Sequence, residues 1–558
     1  ALLTLMLNTI NGGVEGVQLF VDASGVGTLV ELLEKYPTEE SVTLMLEIFL
    51  QVVPHEAFVG AFWEVSVITM LLSCFSNSSY TAEQMSMLLE VLNLLLQSVQ
   101  KEKAACVKDT AIFLTLLEVI TRYAADSHVV AGSLNAIAYL EGVDAERFCI
   151  PQLVTAVQKI AECHKENKAV AVKLADDLSV LCDESKLTRN EWTPGIVEPL
   201  CSIIAAQPGE SETILSMVPV VGKLCRSERL AKRVAEVPMV SALFACMKTV
   251  TEEKVFQCCC DTLWVLVHNA PESKKQFTGD NSPRVIYDGL FKYKSNEDIV
   301  KGACLLLRDL LLDGAVGLDV LTVEDIVPIK DLMQSSWDFK QSEVRDNALS
   351  MCLAGLTALG RKHSTEEKVL KKMGSVEVVK EVIRTLDLQS VEQGRIALEV
   401  LAFVSRTDKG KRAIIATRGV ERTLEALEMF AGDKDACEHA LDELEQMVEL
   451  REPVRVIQKY GVSSILAAMR AYPSEKQVQL HALRTLETLR DMPEFVQCIR
   501  DEDGVSTLVA VWKQFTEDET LVELGAAVLQ DVAGEDESVA DELEADGVVQ
   551  TLLEVLEE

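Results

Sequence analysis

One phrase returns along this chain at a nearly constant interval. It reads SGVGTLVELL at Ser24, RGVERTLEAL at Arg418, YGVSSILAAM at Tyr460, DGVSTLVAVW at Asp503 and DGVVQTLLEV at Asp546. The later glycines, Gly374, Gly419, Gly461, Gly504 and Gly547, stand 45, 42, 43 and 43 residues apart. Weaker copies fill the first two thirds, at Val65, Ala111, Cys149, Gly195, Val237, Pro283 and Asp325. Twelve steps carry Gly25 to Gly547 over 522 residues. A period of this length excludes a set of unrelated globular domains and points to stacked copies of one supersecondary unit.

Each unit can be read physically. A Gly or Pro ends one short helix and permits a sharp turn. An apolar helix of about ten residues follows, then a polar loop such as YPTEE at Tyr36 or YPSEK at Tyr472. A longer helix comes next, with apolar residues at i, i+3, i+4 and i+7: VQLHALRTLETL from Val478, QGRIALEVLAFV from Gln393 and EKVFQCCCDTLWVL from Glu253. A short amphipathic helix such as GKRAIIATR at Gly410 completes the set. No such unit can bury its apolar faces alone, so neighbours must share one core. Aromatic residues are only 5% of the chain, too few for an all-β protein with frequent turns.

The period, the three helices and the Gly before the second helix resemble the armadillo repeat, over essentially the whole chain. HEAT-type helix pairs are the nearest alternative, and the Gly break in the last five copies favours armadillo. The resemblance implies an all-α, right-handed α-solenoid of about twelve three-helix repeats. The expected organisation is a single continuous solenoid over 1–558, with partial repeats at 1–12 and 534–558. ALLTLMLNTI reads as the tail of a third helix, with neither a Met nor a basic leader, as if cut from a longer polypeptide. The one irregular step, 49 residues from Asp325 to Gly374 around QSSWDFKQSEV, reads as a longer loop.

In peptide-binding armadillo proteins one Asn per third helix, in an A-L-x-N-L pattern, clamps a partner backbone. Here the aligned residues are Leu7, Leu50, Leu94, Tyr139, Val180, Lys223, Val265, Asp309, Ala358, Phe403, Gln446, Thr488 and Asp531. None is Asn, which argues against such a clamp. Leu50, Leu94, Tyr139 and Val180 make an apolar stripe suited to a packed partner surface, and Lys223, Asp309, Phe403, Gln446 and Asp531 continue it as a mixed one. A phase shifted by one residue would place the apolar members in the core instead.

Charge is uneven. Lys and Arg total 53 against 88 Asp and Glu, a formal net of −35. Such acidity disfavours nucleic acid or an anionic membrane as the general partner. From Asp501 to Glu558 there are 18 acids and one Lys. Arg361–Arg422 reverses the balance, with 14 basic residues against nine acidic. Its basic patch is Lys409, Lys411, Arg412 (with Arg406 beside it), Arg418 and Arg422; a second cluster is Lys223, Arg226, Arg229, Lys232 and Arg233. These are solvated outer faces, or docking sites for an acidic partner, with the acidic end facing a basic one. Neither cluster interleaves aromatics for base stacking.

The 15 Cys form no CxxC, and Cys182, Cys225, Cys246, Cys304 and Cys352 sit as fillers in apolar helical runs. Cys258, Cys259 and Cys260 are about 100° apart on a helix and cannot share one metal. Reduced, structural thiols and an intracellular setting follow. No apolar run reaches about 18 residues, so no membrane span is expected. No nucleotide, hydrolase or zincin motif occurs, and His268 and His481 read as ordinary helix residues. The expected protein is therefore no enzyme and has no cofactor. It is an interaction scaffold for other proteins, a structural part of a larger cytoplasmic assembly by analogy with cytoskeletal or ciliary machinery. The alternative is a soluble adaptor for transport cargo or a small GTPase.

Overall fold

The structure is a computed structural model that describes residues 2–11, 13–35, 38–54, 73–76, 79–97, 110–140, 151–181, 193–278, 283–311, 318–490, 492 and 494–535. The copies of the phrase at Val65, Cys149 and Asp546, Cys182, and the acidic end beyond 535 lie outside these residues. All regular elements among the described residues are helices. The chain divides into two compact units, Ala1–Ile286 and Tyr287–Glu558.

The first unit begins with α1 (Leu2–Ile10), α2 (Val14–Asp22), α3 (Gly25–Lys35) and α4 (Glu39–Val52). It continues through α5 (Ala82–Gln97), α6 (Thr110–Arg122), α7 (Ser127–Leu140), α8 (Pro151–His164) and α9 (Lys168–Leu181). Then come α10 (Val197–Ala206), α11 (Ser211–Cys225), α12 (Glu228–Ala235), α13 (Met239–Thr249) and α14 (Glu253–Asn269). The long third helices stack in one row, α4 on α5, α5 on α7, α7 on α9, α9 on α11 and α11 on α14. The second helices α6, α8, α10 and α13 form a parallel row.

The division between the units falls within α15 (Arg284–Lys292). The second unit holds α16 (Glu297–Leu311), α17 (Ile326–Ser336), α18 (Ser342–Lys362), α19 (Glu367–Met373), α20 (Val376–Leu386) and α21 (Val391–Val404). After these come α22 (Asp408–Ala416), α23 (Gly419–Met429), α24 (Lys434–Met447), α25 (Arg451–Tyr460) and α26 (Val462–Ala471). The unit ends with α27 (Lys476–Leu489), α28 (Phe495–Asp501), α29 (Gly504–Gln514) and α30 (Glu519–Glu535). Its third helices α16, α18, α21, α24, α27 and α30 stack in order, as do the second helices α17, α20, α23, α26 and α29. Three of its first helices pack on the preceding second helix: α22 on α20, α25 on α23 and α28 on α26.

Local chemistry explains these elements. In α27 Val478, Ala482, Leu483, Leu486 and Leu489 fall on one side and are buried. Several third helices begin where a short polar side chain caps them. Asp433 accepts from the Ala436 N–H at 2.8 Å, and Ser390 accepts from Gln393. At the turn into the second helix, the residue before the glycine takes the left-handed conformation: Ser24 at φ 57°, Arg418 at φ 56° and Asp503 at φ 54°. The glycine itself opens the helix. It is required by close packing, because a Cβ on Gly419 would lie 2.6 Å from Ile414 Cγ2, and one on Gly504 would lie 2.7 Å from Ile499 Cγ2.

The irregular 49-residue step is not a longer loop. It lengthens α18 to 21 residues, against 14 in α21, α24 and α27. The loop before it, Trp337 to Gln341, stays short. Here Trp337 is pinned: its indole N–H donates to Glu381 at 3.0 Å and the Arg384 guanidinium stacks 4.1 Å from its ring centre.

Candidate protein-interaction surface

The third helices bury a constant set of positions. In α5, with Leu94 as reference, the buried residues include Gln84, Met85, Leu88, Leu89, Val91, Leu92 and Leu95, with Asn93 and Leu96 buried as well. In α11, around Lys223, the same offsets hold Thr213, Ile214, Met217, Val218, Val220, Val221 and Leu224. In α24, around Gln446, they hold Ala436, Cys437, Ala440, Leu441, Glu443, Leu444 and Met447. The reference position itself lies beside this core face. In α4 the buried set is Val42, Met45, Leu46, Ile48, Phe49 and Val52, which matches the others only when Gln51 is the reference. Leu50 is therefore one residue out of line, and Gln51 is the equivalent of Leu94.

The aligned residues do not form one uniform stripe. Leu50, Leu94, Lys223, Gln446 and Asp531 are half-buried. Tyr139 and Val180 are exposed, at 42% and 46%. Asp309 and Phe403 are buried. Phe403 fills the seam beside Gly360, where a Cβ would come 2.6 Å from its ring, and Arg406 covers it from 5.1 Å.

Two concavities in the first unit are built from equivalent positions. One, of about 380 Å³, lies along α5 and α7 and reaches Lys173 of α9; Glu90, Asn93, Leu94, Gln97, His128 and Asn135 line it. The other, of about 400 Å³, lies along α11 and α14; Pro219, Gly222, Lys223, Arg226, Lys254 and Asp261 line it. Glu90, Asn93, Leu94 and Gln97 have the same offsets as Pro219, Gly222, Lys223 and Arg226, so the site recurs with the repeat. Asn93 donates from Nδ2 to the Gly132 carbonyl at 3.0 Å, and its buried Oδ1 has no hydrogen-bond partner among the described residues. Lys223 donates to the carbonyl and hydroxyl of Ser179, both at 2.8 Å.

In the second unit the corresponding positions carry ion pairs between neighbouring third helices. Arg361 of α18 binds Glu399 of α21 at 2.6 and 2.9 Å. Arg406 binds Asp442 of α24 at 3.2 Å with the same offsets. Glu445 of α24 is held by His481 and by Arg484 of α27, the latter at 3.1 Å. Burial alone would raise the Glu445 carboxyl, but the hydrogen bonds and charges of His481 and Arg484 hold it below its ordinary value. His481 is thus a partner in this ladder and not an isolated helix residue.

One carboxyl has no such support. Glu443 is fully buried in α24, and among the described residues neither oxygen has a hydrogen-bond partner of ordinary geometry. Burial pushes its pKa up to about 8; the Thr423 hydroxyl opposes this and the Asp442 charge adds to it. It cannot be picked out from the sequence, because ALDELEQM reads as a polar helix.

The basic patch divides. Lys411 is buried against Glu449, and Arg422 is held by Asp387 and Glu425. Lys409, Arg412 and Arg418 are exposed. The twelve described cysteines are all unlinked thiols, nine of them buried. Burial pushes Cys225, Cys246 and Cys304 up to about 12. Among the described residues no group of three or more His, Cys, Asp or Glu is placed to hold a metal ion. Among them, too, no helix is long and apolar enough to cross a membrane.

No family model matches the sequence. No curated protein matches it either. Solved structures do match. One comes from work on a phosphorylation switch controlling the interaction between cadherin and beta-catenin; it shares 13% identity over 91% of this chain and 99% of that one, with a TM-score of 0.55. Another, a SYS-1/POP-1 complex, shares 10% identity over 91% and 99%, with a TM-score of 0.48. At these identities the likeness is one of fold: the chain is an all-α solenoid similar to armadillo-repeat structures.

Proposed function

We propose that this chain is a non-enzymatic scaffold that receives a protein partner on the third-helix face of its first unit. The recurring concavity carries the reading. Repeat-equivalent positions line hollows beside Leu94 and Lys223, and the aligned residues Tyr139 and Val180 of the neighbouring third helices are exposed. An apolar partner side chain would cover Leu94 and Tyr139, and a partner N–H or O–H would satisfy Asn93 Oδ1. The fold supports a binding role, since the similar structure comes from work on the interaction of cadherin with beta-catenin.

The partner belongs to a larger assembly in the cytoplasm, of the kind cytoskeletal or ciliary machinery builds, and the solenoid is one continuous structural element of it. Buried, unlinked thiols support a reducing compartment. Leu94→Lys is the test. Leu94 lies outside the buried set of α5, so the variant keeps its helicity and thermal transition but loses stoichiometric recovery of the partner. Recovery equal to that of the unaltered chain removes this surface from the account. A chain that elutes alone on gel filtration from a native extract, and binds its partner only transiently, is the adaptor instead.

A further inference from the structure

The first helices of the second unit carry a feature that the third-helix face does not explain. Aligned on their buried residues, α19 (Val369, Leu370, Met373), α22 (Ala413, Ile414) and α25 (Val454, Ile457) present Lys368, Arg412 and Arg455 at one shared position. These three are 44 and 43 residues apart, the interval of the repeat itself. Lys409, Arg418 and Arg451 flank them. All six are exposed, and none has an ion-pair or hydrogen-bond partner for its side chain among the described residues. Several other cations of this unit are engaged: Arg361, Arg406, Lys411, Arg422 and Lys434 all meet acids. In a chain of net charge −35, a column of six unengaged cations on three consecutive repeats is an interaction surface.

We propose that this first-helix column docks a short acidic polypeptide segment of a partner protein. Charge complementarity selects an anion, and four of the six cations are Arg, whose planar fork fits a carboxylate with two parallel hydrogen bonds. Packed helices lie about 8–10 Å apart, so three successive rungs span roughly 20 Å, the reach of about six to eight extended residues. The same chain disfavours broader anions. Asp408, Glu421 and Glu452 border the column, and the rest of the molecule is strongly acidic. A membrane plane or a nucleic-acid duplex would bring its charge against those acids, whereas a short segment meets the column alone. This surface is separate from the third-helix face and stands or falls without it.

The test is fluorescence anisotropy with the full chain and a labelled octaglutamate peptide at about 50 mM salt. The unaltered chain is expected to bind octaglutamate and not octaglutamine. The triple variant Lys368→Ala, Arg412→Ala, Arg455→Ala is expected to weaken binding at least about tenfold with an unchanged melting temperature. A control triple, Lys301→Ala, Lys380→Ala, Lys513→Ala, removes the same charge from other exposed sites and is expected to leave binding within about twofold. No binding of octaglutamate, or equal losses in both triples, overturns the proposal. So does tighter, column-dependent binding to phosphatidylserine vesicles or to a DNA duplex.

Discussion

The Arg361 guanidinium donates two hydrogen bonds, of 2.6 and 2.9 Å, to the Glu399 carboxylate on the next third helix. Glu399 is 7% exposed while Arg361 is 65% exposed, so the pair is a buried acid held by a solvated cation. Arg361→Ala leaves that carboxylate under-supported, with His439 Nε2 3.9 Å away. After discount for the exposed Arg, the expected loss is about 1–2 kcal/mol. In a urea-denaturation double-mutant cycle, Arg361→Ala and Glu399→Ala should be non-additive. Additive losses would show that the pair contributes nothing.

Glu443 sets a pH dependence of stability. Its carboxyl titrates near 4.5 in the unfolded chain and near 8 in the fold. Between those values the folded state holds the extra proton, so stability falls as pH rises from about 4.5 through about 8. Glu443→Met, of similar shape and without a charge, removes that dependence. The variant should exceed the unaltered chain by about 3–5 kcal/mol at pH 8.5 and by much less at pH 5. Parallel stability curves for the two chains across this range would contradict the assignment.

A side-chain amide locks adjacent third helices at equivalent places in both units. Gln84 donates to the Glu39 carbonyl at 2.8 Å and the Thr43 hydroxyl at 3.1 Å. Gln393 donates to the Asp346 carbonyl and the Ser350 hydroxyl, both at 2.8 Å. Leu at either position leaves these acceptors without their donor. Each substitution should cost about 1–2 kcal/mol in denaturant unfolding. A neutral result for both would mean that water replaces the amide.

Two glycines should respond oppositely to an added methyl group. A Cβ on Gly410 would lie 2.0 Å from the Val404 carbonyl oxygen, whereas one on Gly432 meets nothing within 4 Å. Gly410→Ala should destabilise by about 1–3 kcal/mol. Gly432→Ala should be neutral or stabilise by up to about 1 kcal/mol. Differential scanning calorimetry of the two variants checks this, and equal shifts would rule out the packing argument.

The fold was largely legible because helical periodicity and a fixed repeat length are both linear properties of a sequence. The glycine turns followed the same logic, although the left-handed residue proved to be Arg418 or Asp503 and not the glycine after it. The surface was less legible. Leu50 and Gln51 differ by one residue of phase, and only the burial of Phe49 and Val52 decides between them. Asp309 and Phe403 hold the expected position and are buried, Phe403 in the space beside Gly360. Arg361 and Glu399 are 38 residues apart, so their pairing appears only when neighbouring helices are superimposed. Lys368, Arg412 and Arg455 were hidden for the same reason: the sequence shows basic clusters, and only the buried faces show which members share a column.

Cross-linking mass spectrometry of the native chain with its partner tests the central claim most directly. Lys173 and Lys254 line the two repeat-equivalent concavities described in the first unit, whereas Lys380 and Lys513 lie on second helices of the other unit. The expected result is partner links at Lys173 and Lys254 and none at Lys380 or Lys513. Links confined to Lys380 and Lys513 would contradict it.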